Sequence, residues 1–306
     1  MSLLLLLLVQ DPWVTYPGPG KHVVLIAAEE SYRSEESMPL LARILSTHHG
    51  FKCTVLFAVD PKDGTINPTV KDNIPGLEAL ATADLLIAFF RWRELPDEQM
   101  KRIVDYGESG KPIVGIRNAT HPFRYAKGSA SPYAKYSWDS KDPAGGWGRL
   151  VLGETWVSHY GKNLVESTRC EATSDHAVLK GVAKSFWIPD DVYGIGTLPA
   201  DCSTVLMGQP LAAWTAEAAP VVEKKPLPIA WTRTYGTSRV FTTTMGHGDA
   251  FKVADFRRLL VNAVYWGLGL EEKLDPAGKV DLVGAYDPGP VGAKGLRKGV
   301  KPADLR

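Results

Sequence analysis

A short apolar segment near the middle of the chain is followed at once by polar residues that could carry out acid–base chemistry. Residues 113–116 are apolar, and Arg117, Asn118 and His121 come soon after them. A buried parallel strand appears in a sequence as a short apolar run, and open α/β sheets bind ligands at the carboxyl ends of such strands. The pattern therefore predicts site residues here; the alternative is a loop with a capping asparagine and a surface histidine.

His247 is the most specific single signal, because it lies between Gly246 and Gly248 just after the β-rich segment 240–245. Glycine lets the backbone approach a ligand closely, and histidine, with a reference pKa of about 6.5, is the usual acid–base group. We predict that His247 acts as an acid or a base. The alternative is a helix-capping loop in which the histidine only satisfies backbone groups.

Two further candidates are Glu30, which follows the apolar segment 22–28, and His159. Glu30 could be the carboxylate partner of a catalytic histidine or a direct acid, and the alternative is a solvated loop acid. The histidines show neither His-x-Glu-x-His nor His-x-x-x-His spacing. The sequence therefore predicts no cofactor and assigns no metal ligands.

Four arginines near the predicted strand ends would give the site a positive potential, which suits a carboxylate, a phosphate or a developing oxyanion. The alternative for each arginine is a salt bridge with a neighbouring Glu or Asp. The predicted catalytic residues are His247, His121, Glu30 and Arg117. The predicted substrate-binding residues are Arg33, Arg91, Arg93, Asn118, His159 and Tyr193.

Alternating strands and helices must hold these residues. Apolar runs predict strands at residues 22–28, 53–59, 85–90, 113–116, 205–208, 228–233 and 240–245. Apolar stripes at helical spacing predict helices ending near Gly50, Glu108 and Gly267. The first β-α-β unit predicts parallel pairing, so the polar groups beyond several strand ends should meet at one sheet edge.

The pattern changes in residues 124–148, where Gly, Ser, Pro, Tyr and Trp dominate. A loop of this length inside a compact domain is usually functional or disordered, and its aromatic residues argue against disorder. We expect an insertion that lies over the site. Residues 150–159 are predicted to form a short helix.

Composition excludes several classes of protein. The 306 residues are 44% hydrophobic with a net charge of +1, which predicts one large or two small α/β domains and no general attraction to nucleic acid or an anionic membrane. The three cysteines are scattered and indicate neither a disulfide framework nor a zinc site.

The apolar run at residues 3–9 is far shorter than the about 20 residues needed to span a bilayer. It has the length of a signal-peptide core, but no Lys or Arg precedes it. We interpret it as a trimmed or mis-started export signal. This predicts a periplasmic or secreted protein, and otherwise a cytoplasmic one.

An ordered set of motifs resembles the trehalose-utilisation (ThuA-like) family. The motifs are Glu30-Ser-Tyr-Arg33, Gly115-Ile-Arg-Asn-Ala-Thr-His121, Gly153-Glu-Thr-Trp-Val-Ser-His159, Asp191-Val-Tyr193 and Thr243-Thr-Met-Gly-His247. The likeness covers roughly residues 21–270 and is closest to the exported ThuA-like proteins of planctomycete-type bacteria.

The resemblance implies a fold like that of the class I glutamine amidotransferases, a flavodoxin-like three-layer α/β sandwich with a mainly parallel sheet. The implied domains are a leader (1–20), a ThuA-like α/β domain (21–272) and an extended carboxyl-terminal tail (273–306). Amidotransferases of this class carry a nucleophilic cysteine on the turn after a central strand, where this chain has Arg117-Asn118-Ala119. His247 stands where their partner histidine is expected, and covalent glutaminase chemistry is not expected.

The implied function is the breakdown of disaccharides, including keto-sugars, by a hydrolase or lyase that binds a small carbohydrate-like ligand. The near-zero net charge predicts no nucleic-acid partner, the absence of a long apolar segment predicts no membrane span, and a homo-oligomer stays open. The alternative is a non-catalytic binding module on the same fold. Histidines in reach of a carboxylate would favour chemistry, whereas an aromatic strip with its arginines paired off would favour binding alone.

Overall fold

The computed structural model of the chain describes residues 11–306, so the apolar run at residues 3–9 lies outside the described residues. The strands of the described part are β1 (Trp13–Tyr16), β2 (His22–Ala28), β3 (Lys52–Phe57), β4 (Leu85–Phe90), β5 (Ile113–Ile116), β6 (Trp156–His159), β7 (Ser167–Ala172), β8 (Ser185–Ile188), β9 (Tyr193–Ile195), β10 (Ser203–Leu211), β11 (Leu227–Tyr235) and β12 (Ser238–Thr243). Its α-helices are α1 (Ser34–His49), α2 (Asp97–Glu108) and α3 (Ala254–Gly267).

Strand β2 lies in the middle layer and is buried on both faces. Its alternate side chains enter two separate cores, with Val23 on one side and Val24 on the other. Helices α1 and α3 contribute to the first core, and α2 contributes to the second. This layering explains why β2 is an unbroken apolar run: neither of its faces meets water.

Strands β3, β2, β4, β5 and β12 are neighbours in that order, and all four pairings between them are parallel. Ala28 pairs with Phe90, and Ile116 pairs with Thr243. The ends of β2, β4, β5 and β12 therefore meet along one edge of the sheet. This confirms the predicted alignment of the strand ends.

The prediction of a mainly parallel sheet is wrong for the other half of the ten-stranded sheet. Strands β12, β11, β10, β7 and β8 pair antiparallel, and β1 adds antiparallel to β3 at the opposite edge. A two-residue turn, Gly236-Thr237, joins β11 to β12, and so short a link can form only an antiparallel pair. The described chain is thus an α/β fold around a large mixed sheet.

The predicted helix at residues 150–159 is also wrong. A π-helical turn covers Gly148–Leu152, and Gly153 ends it with a φ of 103°, a conformation that favours glycine. The chain then forms β6, which pairs with β9 in a separate two-stranded sheet. The aromatic and β-branched residues of β6 favour a strand once the glycine has ended the turn.

The carboxyl-terminal residues run over α1 and α3. Arg43 donates to the carbonyl of Val283, and Arg257 donates to that of Val280. Tyr286 donates its hydroxyl to Gly248 O, beside the candidate His247. The tail therefore contacts the turn that carries one of the predicted catalytic residues.

Candidate active site

The candidate site lies beyond the ends of β4, β5 and β12 and includes the segment between β8 and β9. A close approach of two strand ends shapes it: a Cβ added to Gly246 would lie 2.7 Å from Ile116 Cγ2 and 3.0 Å from Arg117 Cβ. A side chain at position 246 would thus force the end of β12 away from the end of β5. Glycine is required here because the side chains of Ile116 and Arg117 leave no room for a Cβ.

Arg117 is the buried centre of the site. It begins the turn after β5 with a φ of 45°, a left-handed conformation that is uncommon outside glycine. Its Nη1 lies 2.5 Å from Asp190 Oδ1, and its Nη2 lies 2.6 Å from Asp191 Oδ1. Burial alone would lower the pKa of Arg117, but Asp190 and the other neighbouring groups hold it well above the ordinary value.

Asp190 connects Arg117 to the turn after β12. One carboxyl oxygen of Asp190 faces Arg117, and the other accepts the N–H groups of Gly246 at 2.5 Å and His247 at 2.8 Å. Burial raises the pKa of Asp190, although Arg117 opposes the rise. Asp190 therefore fixes the backbone of His247 relative to the turn after β5.

Asp191 connects Arg117 to His159. The second oxygen of Asp191, Oδ2, lies 2.8 Å from His159 Nδ1. Burial would raise the pKa of Asp191, but Arg117 and His159 hold it below the usual range, so the carboxylate stays ionised at neutral pH. Asp191 is fully buried, whereas His159 exposes 41% of its side chain. This pair places an oriented imidazole at the surface.

His121, Asn118 and Tyr193 form the buried wall next to this pair. Tyr193 donates its hydroxyl to Asn118 Oδ1 at 3.2 Å, and its ring contacts both His121 and His159. His121 Nδ1 lies 3.2 Å from the hydroxyl of Thr120. Burial, and then Arg91, lowers the pKa of His121 well below its ordinary value, so its imidazole is neutral at physiological pH.

Three partly exposed tryptophans, Trp92, Trp138 and Trp156, lie next to His121 and to one another, and we call them the tryptophan surface. Ring centroids of His121 and Trp92 are 5.8 Å apart, and those of His121 and Trp156 are 5.1 Å apart. Trp138, from the 124–148 loop, contacts Trp156 at 5.6 Å. All three indole N–H groups are buried without an acceptor among residues 11–306.

His247 lies on the turn after β12 and is almost fully buried. Its Nδ1 accepts the N–H of Asp249 and so caps the following turn, while Tyr32 and Trp214 contact its ring. Burial, and then Arg117, lowers the pKa of His247 to about 4. Nδ1 of His247 therefore has the capping role that was the alternative to catalysis. Its Nε2 is buried and has no hydrogen-bond partner within the described part of the chain.

Glu30 is surrounded by cations. Lys71 Nζ lies 2.9 Å from one of its oxygens, and Arg93 and Arg91 lie at 3.1 Å and 3.3 Å. Burial would raise the pKa of Glu30, but these three cations lower it. Glu30 is thus an ionised partner of arginines, and this geometry gives no support to a role as a proton donor.

Arg33 and Arg93 make contacts away from the tryptophan surface. Arg33 is buried against Glu35 and donates to Gly292 O in the tail. Arg93 is fully buried and donates to backbone carbonyls of the 60–75 loop. The structure therefore brings together Arg117, Asn118, His121, His159 and Tyr193, with Arg91 at the edge and His247 near Arg117.

The residues that sequence reasoning did not assign to the site are Asp190, Asp191, Tyr32, Trp92 and Trp138. The two acidic residues were visible as a Pro-Asp-Asp sequence directly after a strand, the same signal that singled out Arg117. Tyr32 and Tyr193 lie 3.9 Å and 4.2 Å from the Arg117 guanidinium, and such a cation–π contact cannot be recognised from spacing.

Two further properties concern metals and membranes. Across residues 11–306, no three His, Cys, Asp or Glu side chains are grouped so that they could hold a metal ion. Every helix in the same range is too short or too polar to cross a lipid bilayer.

Comparisons with known proteins identify relatives. A sequence model of the ThuA family, described as trehalose utilisation, matches residues 22–267. A crystal structure of a ThuA-like protein from Bacteroides uniformis is 18% identical, with a TM-score of 0.54 over 85% of this chain and 96% of its own. One from Parabacteroides merdae is 13% identical, with a TM-score of 0.53 over 91% and 96%. At these identities the structures show a shared fold, and a comparison with curated proteins gave no match. The narrower likeness to exported planctomycete-type proteins stays a prediction.

Proposed function

The chain belongs to the ThuA family of trehalose utilisation, and on that premise we propose that it binds a sugar or keto-sugar and acts on it by acid–base chemistry. The observation that carries this proposal is the His159–Asp191 pair beside the tryptophan surface. We propose a hydrolase or lyase in carbohydrate catabolism, working in the periplasm or outside the cell.

His159 is the proposed proton-transfer group. Asp191 accepts from Nδ1, which assigns the proton of a neutral imidazole to that nitrogen and leaves Nε2 free to take a proton from a ligand. A carboxylate that orients a histidine in this way also stabilises the imidazolium that forms. Arg117 holds the other oxygen of Asp191, so it is a positioning residue for His159.

The tryptophan surface is the proposed platform for the sugar ring. Tryptophan presents a large apolar face together with an N–H donor, and a sugar ring has both apolar C–H faces and hydroxyl oxygens. The unpartnered indole N–H groups and the buried amide nitrogen of Asn118 would find acceptors in a ligand or in water. His121, neutral and packed on Trp156, is proposed to contact the bound ligand.

The proposal excludes the covalent chemistry of glutamine amidotransferases. Position 117, on the strained turn after β5, is arginine. The three cysteines of the chain lie in β3, in β7 and before β10, and burial raises the pKa of each thiol. None of these thiols is a ready nucleophile, because the thiolate is the reactive form.

The test is turnover of trehalose and keto-disaccharides by wild type and by His159→Gln. Loss of a general acid or base should lower kcat/KM by about 10²–10⁴-fold, while binding of the same sugars changes little. His48→Gln, at the end of α1, is the matched control and should retain wild-type turnover. Equal turnover by His159→Gln and wild type would end this proposal.

A second candidate, a sugar-binding module without catalysis, is favoured by one observation. Arg93 and Arg117 are buried and paired with carboxylates, so neither is an unpaired cation available to a developing oxyanion. In that case wild type binds sugars without turnover, and His159→Gln changes only the affinity.

A further inference from the structure

Three cations converge on one carboxylate at the edge of the candidate site. Lys71, Arg91 and Arg93 all lie within 3.3 Å of the oxygens of Glu30. One carboxylate can neutralise only one of them. The cluster, which we call the Glu30 cluster, therefore carries an excess of positive charge.

Arg93 is the member of the cluster whose positive charge we assign to Glu30. Its side chain is fully buried, and besides Glu30 it donates to the carbonyls of Pro68, Val70 and Arg91. Arg93 thus ties the 60–75 loop to the end of β4 and has no surface for a ligand.

Lys71 and Arg91 are the partly exposed members, with 36% and 20% of their side chains exposed, although Lys71 Nζ itself is buried. The hydrogen bonds of Arg91 to Glu30 and Ser31 both use Nη1. Its Nε is buried with no acceptor anywhere in residues 11–306. The edge of a guanidinium that carries Nε is able to bind a carboxylate or phosphate with two parallel hydrogen bonds.

The Glu30 cluster adjoins the tryptophan surface. The Arg91 guanidinium carbon lies 3.7 Å from the ring centroid of Trp92, and that of Arg124 lies 5.4 Å from the same ring. Trp92 in turn contacts His121. Asp72, which is exposed, adds a negative charge that acts on the buried Arg93.

We propose that the Nε edge of Arg91, with the positive charge of Lys71 beside it, forms a subsite for an anionic group, a carboxylate or a phosphate, on the sugar that lies on the tryptophan surface. The preferred ligand class is thus an acidic sugar, a uronate or a sugar phosphate, rather than a neutral one. This inference rests on the proposed function for the identity of the ligand as a sugar, but binding measurements test it without turnover.

The experiment measures binding of glucose, glucuronate, glucose 6-phosphate and inorganic phosphate by calorimetry at low ionic strength. Wild type should bind at least one acidic sugar about tenfold more tightly than glucose, and added salt should reduce the difference. Lys71→Met should remove most of this preference. Lys62→Met, on an exposed lysine of the same loop, should keep it.

The two acidic sugars distinguish a carboxylate from a phosphate subsite, and tight binding of inorganic phosphate alone would show an anion site unconnected with sugar. Thermal unfolding of each variant shows whether it is folded, and the comparison of glucuronate with glucose on wild type needs no variant.

Equal or undetectable binding of all the sugars overturns the subsite. If His159→Gln abolishes turnover of neutral sugars while acidic sugars bind no better, only the subsite fails. If acidic sugars are preferred while His159→Gln keeps full turnover, only the proposed function fails.

Discussion

His159 Nδ1 lies 2.8 Å from Asp191 Oδ2, and the other oxygen of that carboxylate lies 2.6 Å from Arg117 Nη2. The exposed imidazole is therefore held by a carboxylate that is itself held from the turn after the central strand β5. Asp190 repeats the arrangement toward His247, with the backbone N–H as its partner. One buried arginine thus fixes two histidines through two consecutive acids.

Replacing Arg117 should lower the stability of the whole fold. Arg117→Met leaves Asp190 and Asp191 buried without their cation, and breaking a buried ion pair from one side costs about 3–5 kcal/mol. We expect a fall of that size in the free energy of unfolding, measured in urea. Lys101→Met, at the exposed pair with Asp105, is the control and should leave the urea midpoint unchanged. A similar midpoint for Arg117→Met and wild type would contradict the central role of Arg117.

The parallel half of the sheet was predictable because its strands are buried on both faces. Residues 22–28, 85–90 and 113–116 match the observed β2, β4 and β5, since a doubly covered strand must be apolar throughout. Polar residues start where the strand ends, which is why Arg117 could be found.

The antiparallel half and the partners of Arg117 were harder to predict. Strand β7 is only half-buried, and β6 is mostly exposed, so neither forms a continuous apolar run. Asp190 and Asp191 reach Arg117 from more than 70 residues away in sequence. Whether an acid is a solvated loop residue or half of a buried pair depends on that long-range packing, which a single sequence does not display.

The stability of the protein should fall in mild acid because His247 is buried in its neutral form. Its pKa is lowered from 6.5 to about 4 in the folded state, so the unfolded chain takes up the proton first. The free energy of unfolding should fall as the pH drops from 6.5 through 4, by at most about 3 kcal/mol from this group. His247→Asn keeps an acceptor for the Asp249 N–H and should show a shallower fall, measured by urea unfolding at several pH values. Parallel curves for the two proteins would exclude His247 as the source.

Glu35 should make the protein less stable as the pH rises, which is opposite to the effect of His247. Burial, although opposed by Arg33, raises its pKa from 4.5 to about 8, so the folded state keeps a proton that the unfolded chain has lost. Stability from this group is therefore lost as the pH rises from 4.5 through 8. Glu35→Gln cannot lose that proton, and its stability relative to wild type should increase between pH 5 and pH 9 by an amount on the order of 4 kcal/mol. A difference in unfolding free energy that is constant over this range would show that Glu35 is ionised throughout.

The close approach of β12 to β5 can be tested with two matched substitutions of glycine by alanine. Gly246→Ala would put a methyl group 2.7 Å from Ile116 Cγ2 and 3.0 Å from Arg117 Cβ, so the two strand ends must separate. We expect the unfolding free energy to fall by about 1–3 kcal/mol, because overpacking at a rigid contact is destabilising.

Gly107→Ala, in α2, meets only Trp147 Nε1 among the described residues, at 3.8 Å, and should raise stability by up to about 1 kcal/mol through the better helix propensity of alanine. Since Asp190 binds the N–H of Gly246, the first variant should also lower turnover, whereas the second should leave it unchanged. Loss of stability in both variants, or in neither, would show that the contact between the strand ends does not constrain position 246.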